Sequence, residues 1–226
     1  LKPGTGDITQ MADLFQELLE MRYSSELFRL ETAEAIQARV QFHNTGPDQT
    51  PGLIVMSLSD DVDPDLDRDH ESIVVAINAN DEAHRIAVGA LSGRDLRLHP
   101  VQKDSVDPVV QNTAFDPNNG MLSVPARTAA VFVELAPPTE RIGYLAGDVQ
   151  ALVDAGVLNR GQGNSLIAKL ENAVKDIDKG KTTPACNKLG AFINEVEAFT
   201  HSGKLTAEQG QPLIDAAASI VGQLCG

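Results

Sequence analysis

Two groups of residues in this chain have the types and spacing for chemistry. The run Asp60-Asp61-Val62-Asp63-Pro64-Asp65-Leu66-Asp67-Arg68-Asp69 places six carboxylates in ten positions. Alternating carboxylates on a loop can gather around a hard cation such as calcium. The helix-loop-helix calcium pattern needs glycine where Leu66 stands, and Pro64 interrupts the loop, so that motif fails. A solvated acidic loop is the plainer reading, with calcium the one cofactor left open. The second group is Cys186 and Cys225, the only two cysteines in 226 residues. Whether they bridge depends on where the fold puts them.

Little else qualifies. Histidines stand at 43, 70, 84, 99 and 201, none at the helical spacing of a metal site, and surface or loop positions are expected for all five. A glycine-rich phosphate loop, Cys-x-x-Cys, His-Glu-x-x-His and Gly-x-Ser-x-Gly are all missing. The residues therefore offer no catalytic, cofactor-binding or metal-binding set. Nine aromatics, with no Trp and only Tyr23 and Tyr144 as tyrosines, leave few flat rings on which a sugar could stack. With 18 Lys and Arg against 32 Asp and Glu, the net charge of -14 would repel nucleic acid and anionic lipid. No apolar run approaches the roughly 20 residues of a membrane span. No charged-then-apolar signal-peptide pattern opens the sequence, which starts at Leu1 rather than Met and reads as the middle of a helix-rich region; a piece of a longer, processed or truncated protein is expected.

The elements that would position these residues fall into two parts. Residues 1–137 carry 10 basic and 22 acidic side chains, against 8 and 10 in residues 138–226, and the stiff pair Pro137-Pro138 sits at the join. A boundary is expected at about 136–140. Residues 7–28 predict a helix whose Met11, Leu14, Phe15, Leu18, Leu19 and Met21 form a buried stripe. From Ile36 the period changes to two, and Ile36, Ala38, Val40 and Phe42 predict a strand. Further strands are predicted at 53–58, 73–78, 85–88, 95–98, 121–124 and 129–135. Gly, Pro, Asn and Asp clusters separate them, which indicates an antiparallel β-sandwich over 36–136.

The tail, 140–225, reads as four amphipathic helices with short connections, hence a four-helix bundle of antiparallel neighbours. It contains a repeat: VQALVDAGVLNRGQGNSLI from Val149 recurs forty-seven residues later as VEAFTHSGKLTAEQGQPLI from Val196. Gly156 and Gly203 would end helices at equivalent points, and Asn159 and Thr206 would cap the next ones, as in a duplicated helical hairpin. Cys186 opens the third helix and Cys225 ends the fourth. If these are antiparallel neighbours, the thiols lie at one end of the bundle and a disulfide follows, implying an oxidising compartment. Two unrelated free thiols are the alternative.

The stretch SSELFRLETAEAIQARVQFHNTGPDQTPGLIVMS, from Ser24 to Ser57, resembles the end of bacterial pullulanases and plant limit dextrinases, the debranching members of the α-amylase superfamily. DLDRDHESIVVAIN (65–78), LHPVQ (98–102) and VPARTAAVFV (124–133) agree with it in the same order. The resemblance implies that residues 1–35 are the last helix of a catalytic (β/α)8 barrel with its connection, and that the sandwich packs against that barrel. It implies a parent glycoside hydrolase that cleaves α-1,6 linkages in α-glucans with retention, using two carboxylates about 5–5.5 Å apart. Those carboxylates would lie upstream, so this part should be inactive, its partners being the upstream barrel and, through it, the α-glucan. Any calcium would sit at the acidic loop or in the parent. The tail, with AFINEVEAFTHSGKLTAEQGQPLI its most characteristic phrase, is similar to helical modules at the C-termini of secreted bacterial hydrolases, which implies secretion. The competing reading is a stand-alone binding or surface-attachment module. An amphipathic first helix without partner strands weighs against it.

Overall fold

A strand buried on both faces must be apolar at consecutive positions, and Ile73-Val74-Val75-Ala76 meets that demand. In the computed structural model, which describes residues 2–226, these residues form the middle of β3 (His70–Asn78), and all but Val75 are fully buried. β3 lies at the centre of a five-stranded antiparallel sheet. Its neighbours are β2 (Leu53–Ser59) and β8 (Thr128–Leu135), and β1 (Val40–Phe42) and β5 (Arg97–Leu98) form the edges. A second sheet of β4 (His84–Ala87), β7 (Met121–Val124) and β6 (Ala114–Asp116) faces it.

Period-two alternation then divides the side chains. Leu53, Val55, Val74, Ala76, Ala130 and Phe132 point between the sheets to meet Leu122 and Val124. Ile73, Val131 and Val133 point to the outer face, where Met21 and Leu27 cover them. The large sheet is thus buried on both faces along its middle strands.

The beginning of the chain departs from the sequence expectation in two places. The first helix, α1, spans Thr5–Tyr23 and stops where Ser24 turns its hydroxyl onto the Met21 carbonyl. A 3-10 turn at Glu26–Arg29 follows, capped by Ser25. The expected strand from Ile36 is α2 (Ala33–Arg39) up to Arg39, and only Val40–Phe42 pairs as β1. Thr32 caps α2 by accepting from the Ala35 N–H, and Glu34, Ala35 and Ala38 are good helix formers, so local preference overrides the alternation. Several short elements are invisible to periodicity, among them β6 and α3 (Pro100–Lys103).

The chain divides after Leu135, and the remainder is a separate unit. Helices α4 (Pro138–Asp154), α5 (Arg160–Ile177), α6 (Thr182–His201) and α7 (Ala207–Cys225) pack each on the next, and α7 returns to α4, closing a four-helix bundle. Leu145, Val149, Leu166, Leu170, Leu189, Phe192, Val196 and Ile220 fill its centre at 2% exposure or less. The two hairpins share their turn geometry. Gly156 and Gly203 take φ of +73° and +71°, a conformation that favours glycine, and the Asn159–Gln162 and Thr206–Gln209 pairs form reciprocal capping boxes. A Cβ on Gly163 would strike Val153, and one on Gly210 would strike Thr200, the same approach forty-seven residues on.

The unit has its own buried core and short connections, as four-helix bundles do. Residues 136–226 expressed alone are expected to give a helical circular dichroism spectrum and one cooperative melting transition. A non-cooperative melt would refute the division.

Candidate functional site

The acidic run is organised by protein donors. Arg39, whose side chain is 3% exposed, pairs with Asp60, 4% exposed, and also donates to the Val62 and Pro64 carbonyls. Asp60 accepts in addition from the Leu66 N–H at 3.0 Å and the Asp67 N–H at 2.6 Å. Burial pushes the Asp60 carboxyl above its ordinary value, against the pull of those donors and Arg39. Asp61 bonds Ser59 and Arg94, and the Ser59 hydroxyl leads in holding it below the ordinary value. Among the described residues no group of three or more His, Cys, Asp or Glu side chains is arranged to hold a metal ion. Asp60 and Asp61 hold a loop closed, which explains part of the run without a cation.

Two of the five histidines are not surface residues. His70 is 8% and His99 4% exposed. The His70 Nδ1 lies 3.0 Å from Asp67 Oδ2. Burial alone would raise Asp67, but His70 and the Ser25 hydroxyl hold it below the usual carboxylate range. His99 Nε2 lies 3.1 Å from Ser24 Oγ. Burial, followed by the charge of nearby His70, pushes the His99 imidazole down to about 4. Lone histidines carry no periodic signal, so their burial could not be read from spacing. Of the others, His43 bonds Ser57 at 2.7 Å, and His201 sits exposed on α6 against the Glu197 carbonyl.

Another feature of the first unit is an uncovered apolar surface. Of the α1 stripe only Met21 is buried; Met11, Phe15 and Leu18 are 66%, 60% and 54% exposed. The periodicity identified the helix face correctly, but in this structure the face is uncovered. A hollow of about 220 Å³ between α1 and the sandwich is lined by Met11, Leu14, Leu18, Met21, Val110 and Ala129. Its polar neighbours are already engaged: Ser105 donates to Glu17, and Gln102 donates to the Ala129 carbonyl and accepts from the Val131 N–H. Ala129 pairs in register with Ile77, and Ile77 with Ile54, so α1 and the outer sheet face meet at this hollow. Ile77, Ile54 and Phe42 continue the surface at 38%, 49% and 55% exposure. An uncovered apolar surface built from two elements marks an interaction site.

In the helical unit, the Sγ atoms of Cys186 and Cys225 stand 2.11 Å apart, between the first turn and a half of α6 and the end of α7. Beside them Arg141, buried in α4, donates to Gln223 and Ser219 of α7, and Gln223 donates back to the Ala136 carbonyl.

The first unit is thus a two-sheet sandwich with a helix docked on its outer face, and most of that helix's apolar stripe is uncovered. Residues 1–135 match the family described as α-1,6-glucosidases, pullulanase-type, C-terminal, and residues 142–222 match the FIMAH domain. Pullulanase 1, chloroplastic, from Arabidopsis thaliana is 46% identical over 138 residues, 59% of this chain and 14% of that protein. A pullulanase of Klebsiella pneumoniae is 36% identical over 131 residues, 57% of this chain and 12% of that protein. The crystal structure of a maltotriose complex of PulA from Klebsiella pneumoniae superposes with a TM-score of 0.56 at 33% identity, over 61% of this chain and 15% of that one. The chain belongs to the pullulanase-type α-1,6-glucosidase C-terminal family. It spans about one-seventh of the length of these curated relatives.

Proposed function

We propose that this chain is the non-catalytic C-terminal part of a pullulanase-type debranching enzyme, and that its sandwich stabilises an upstream catalytic domain. The observation that carries the reading is the continuous apolar surface of α1 and the outer sheet face. In an enzyme that hydrolyses α-1,6 linkages of pullulan or limit dextrin, that surface would pack on the barrel that holds the two carboxylates. The polymer substrate fits an extracellular enzyme, as does a Cys186–Cys225 disulfide in the bundle. The bundle, beyond the end of the family match at residue 135, is an appended module.

Substitutions that place a charge on the surface test this. Phe15→Asp and Leu18→Asp should change the stability of the present chain by no more than about 0.5 kcal/mol, since both side chains are exposed. In a polypeptide that also carries the catalytic domain, each should cost about 2–4 kcal/mol, because a carboxylate would be buried without a partner. Equal small effects in both would overturn the reading. The present chain should also release no reducing sugar from pullulan, and turnover above buffer would refute its non-catalytic assignment.

A further inference from the structure

Three of the sequence words that carry the family resemblance, SSELF, DLDRDH and LHPVQ, converge on one buried polar joint. Ser24 closes α1, Asp67 and His70 enter β3, and His99 opens α3. The Ser24 hydroxyl has one proton, and it goes to the Met21 carbonyl at 2.8 Å. Its oxygen must therefore accept from His99 Nε2 at 3.1 Å. The Val101 N–H points at His99 Nδ1 from 3.3 Å, so that nitrogen keeps its lone pair. Both contacts demand the same neutral tautomer, with the proton on Nε2. One ring thus joins the C-terminus of α1 to the N-terminus of α3. α3 is in turn fastened to β8 through Gln102, which bonds Ala129 and Val131.

We propose that His99 is an acid-released latch between α1 and the sandwich: a proton taken up at Nδ1 opposes the Val101 N–H, the ring leaves its pocket, and α1 with the turn after it comes away while the strands stay folded. The groups facing the ring support this. β3 presents His70, with Asp67 behind it and bonded in turn by the Ser25 hydroxyl, and the end of α1 presents the Ser24 hydroxyl; the backbone N–H of His99, apart from the ring, donates to the Val131 carbonyl of β8 at 2.8 Å. None of these is an anion in direct contact with the ring, and a protonated His70 would repel a second cation. The folded value of about 4 lies below the ordinary 6.5, so the latch is fully closed above about pH 6.5 and is lost as the pH falls towards 4. Two further titratable tethers hold α1 and its turn: Glu17, which accepts from Ser105 and the Val106 N–H, and Asp67, which the Ser25 hydroxyl bonds and which is held below its ordinary value.

Amide hydrogen exchange of the whole chain between pH 7 and 4, with the imidazole nitrogens followed by NMR, tests the latch. After correction for intrinsic rates, protection at Leu27 and in the last turn of α1 should fall about tenfold or more below pH 6, with β3 and β8 unchanged. The fall should share its midpoint with His99, observed as the Nε2–H tautomer. His99→Gln keeps a donor for Ser24 but cannot be protonated, and it should abolish the step; Glu17→Gln should leave the step in place. A His99 midpoint near 6.5, strands that lose protection together with α1, a step that survives His99→Gln or one that vanishes in Glu17→Gln would each overturn the proposal. Should His99→Gln fail to fold, the wild-type midpoints decide alone: coincidence supports the latch and divergence refutes it.

Discussion

Reduction of the Cys186–Cys225 bridge is expected to lower the stability of the helical unit by about 4 kcal/mol, the chain-entropy value for a closed loop of this size. The bridge spans a sequence separation of 39 residues, which in the unreduced chain restricts the unfolded state across both α6 and α7. For a unit of this length the loss corresponds to a fall in melting temperature on the order of 20 °C. Because the bridge lies wholly after residue 135, the sandwich transition should stay where it is. Thiol titration of the unreduced, denatured chain comes first: zero reactive thiols is the expected result, and two would refute the bridge. Calorimetry with and without reductant then measures the shift.

Arg39→Met should be about as damaging to the first unit, at roughly 3–5 kcal/mol. It removes the guanidinium paired with Asp60 and strips donors from the Val62 and Pro64 carbonyls, all within a part-buried loop. The carboxylate left behind keeps two backbone donors but loses the guanidinium that faces it. Adding Asp60→Asn to Arg39→Met should therefore recover about 1 kcal/mol or more, since the amide oxygen still accepts and the unpaired charge is gone. Denaturant melts of the two variants give the comparison; a double variant less stable than Arg39→Met would show that repair of the charge is not what matters.

The parts of the fold that sequence made legible are those where one physical demand acts alone. β3 and β8 are apolar because they lie in the middle of a sheet covered on both faces, and the four bundle helices show their stripes because one core receives all of them. Where demands compete, the pattern misleads. Ile36 to Phe42 alternates like a strand, yet the Thr32 cap and helix-forming residues win as far as Arg39, whose side chain is then turned to Asp60. α3 has a single turn and is capped by a histidine ring, so neither length nor capping residue announces it. The α1 stripe shows the limit in another way. Periodicity says which face of a helix is apolar, and it cannot say whether the covering surface belongs to the same stretch of chain. Spacing puts His70 and His99 at surface or loop positions because an isolated polar residue has no period, and only the folded chain brings the words that contain them together.

The bridge between Cys186 and Cys225 has a mechanical consequence. A pull applied at Gly226 enters the chain one residue from Cys225 and, with the bridge closed, passes directly across to Cys186. Nearly all of α6 and α7 lies inside that covalent loop and bears no tension. The first hairpin has no such shunt, since the positions forty-seven residues earlier are Thr139 and Asp178. Under load along the chain the two hairpins are therefore unequal: α4 and α5 can be drawn out to full contour length, whereas the second hairpin stays inextensible until the sulfur bond is cut.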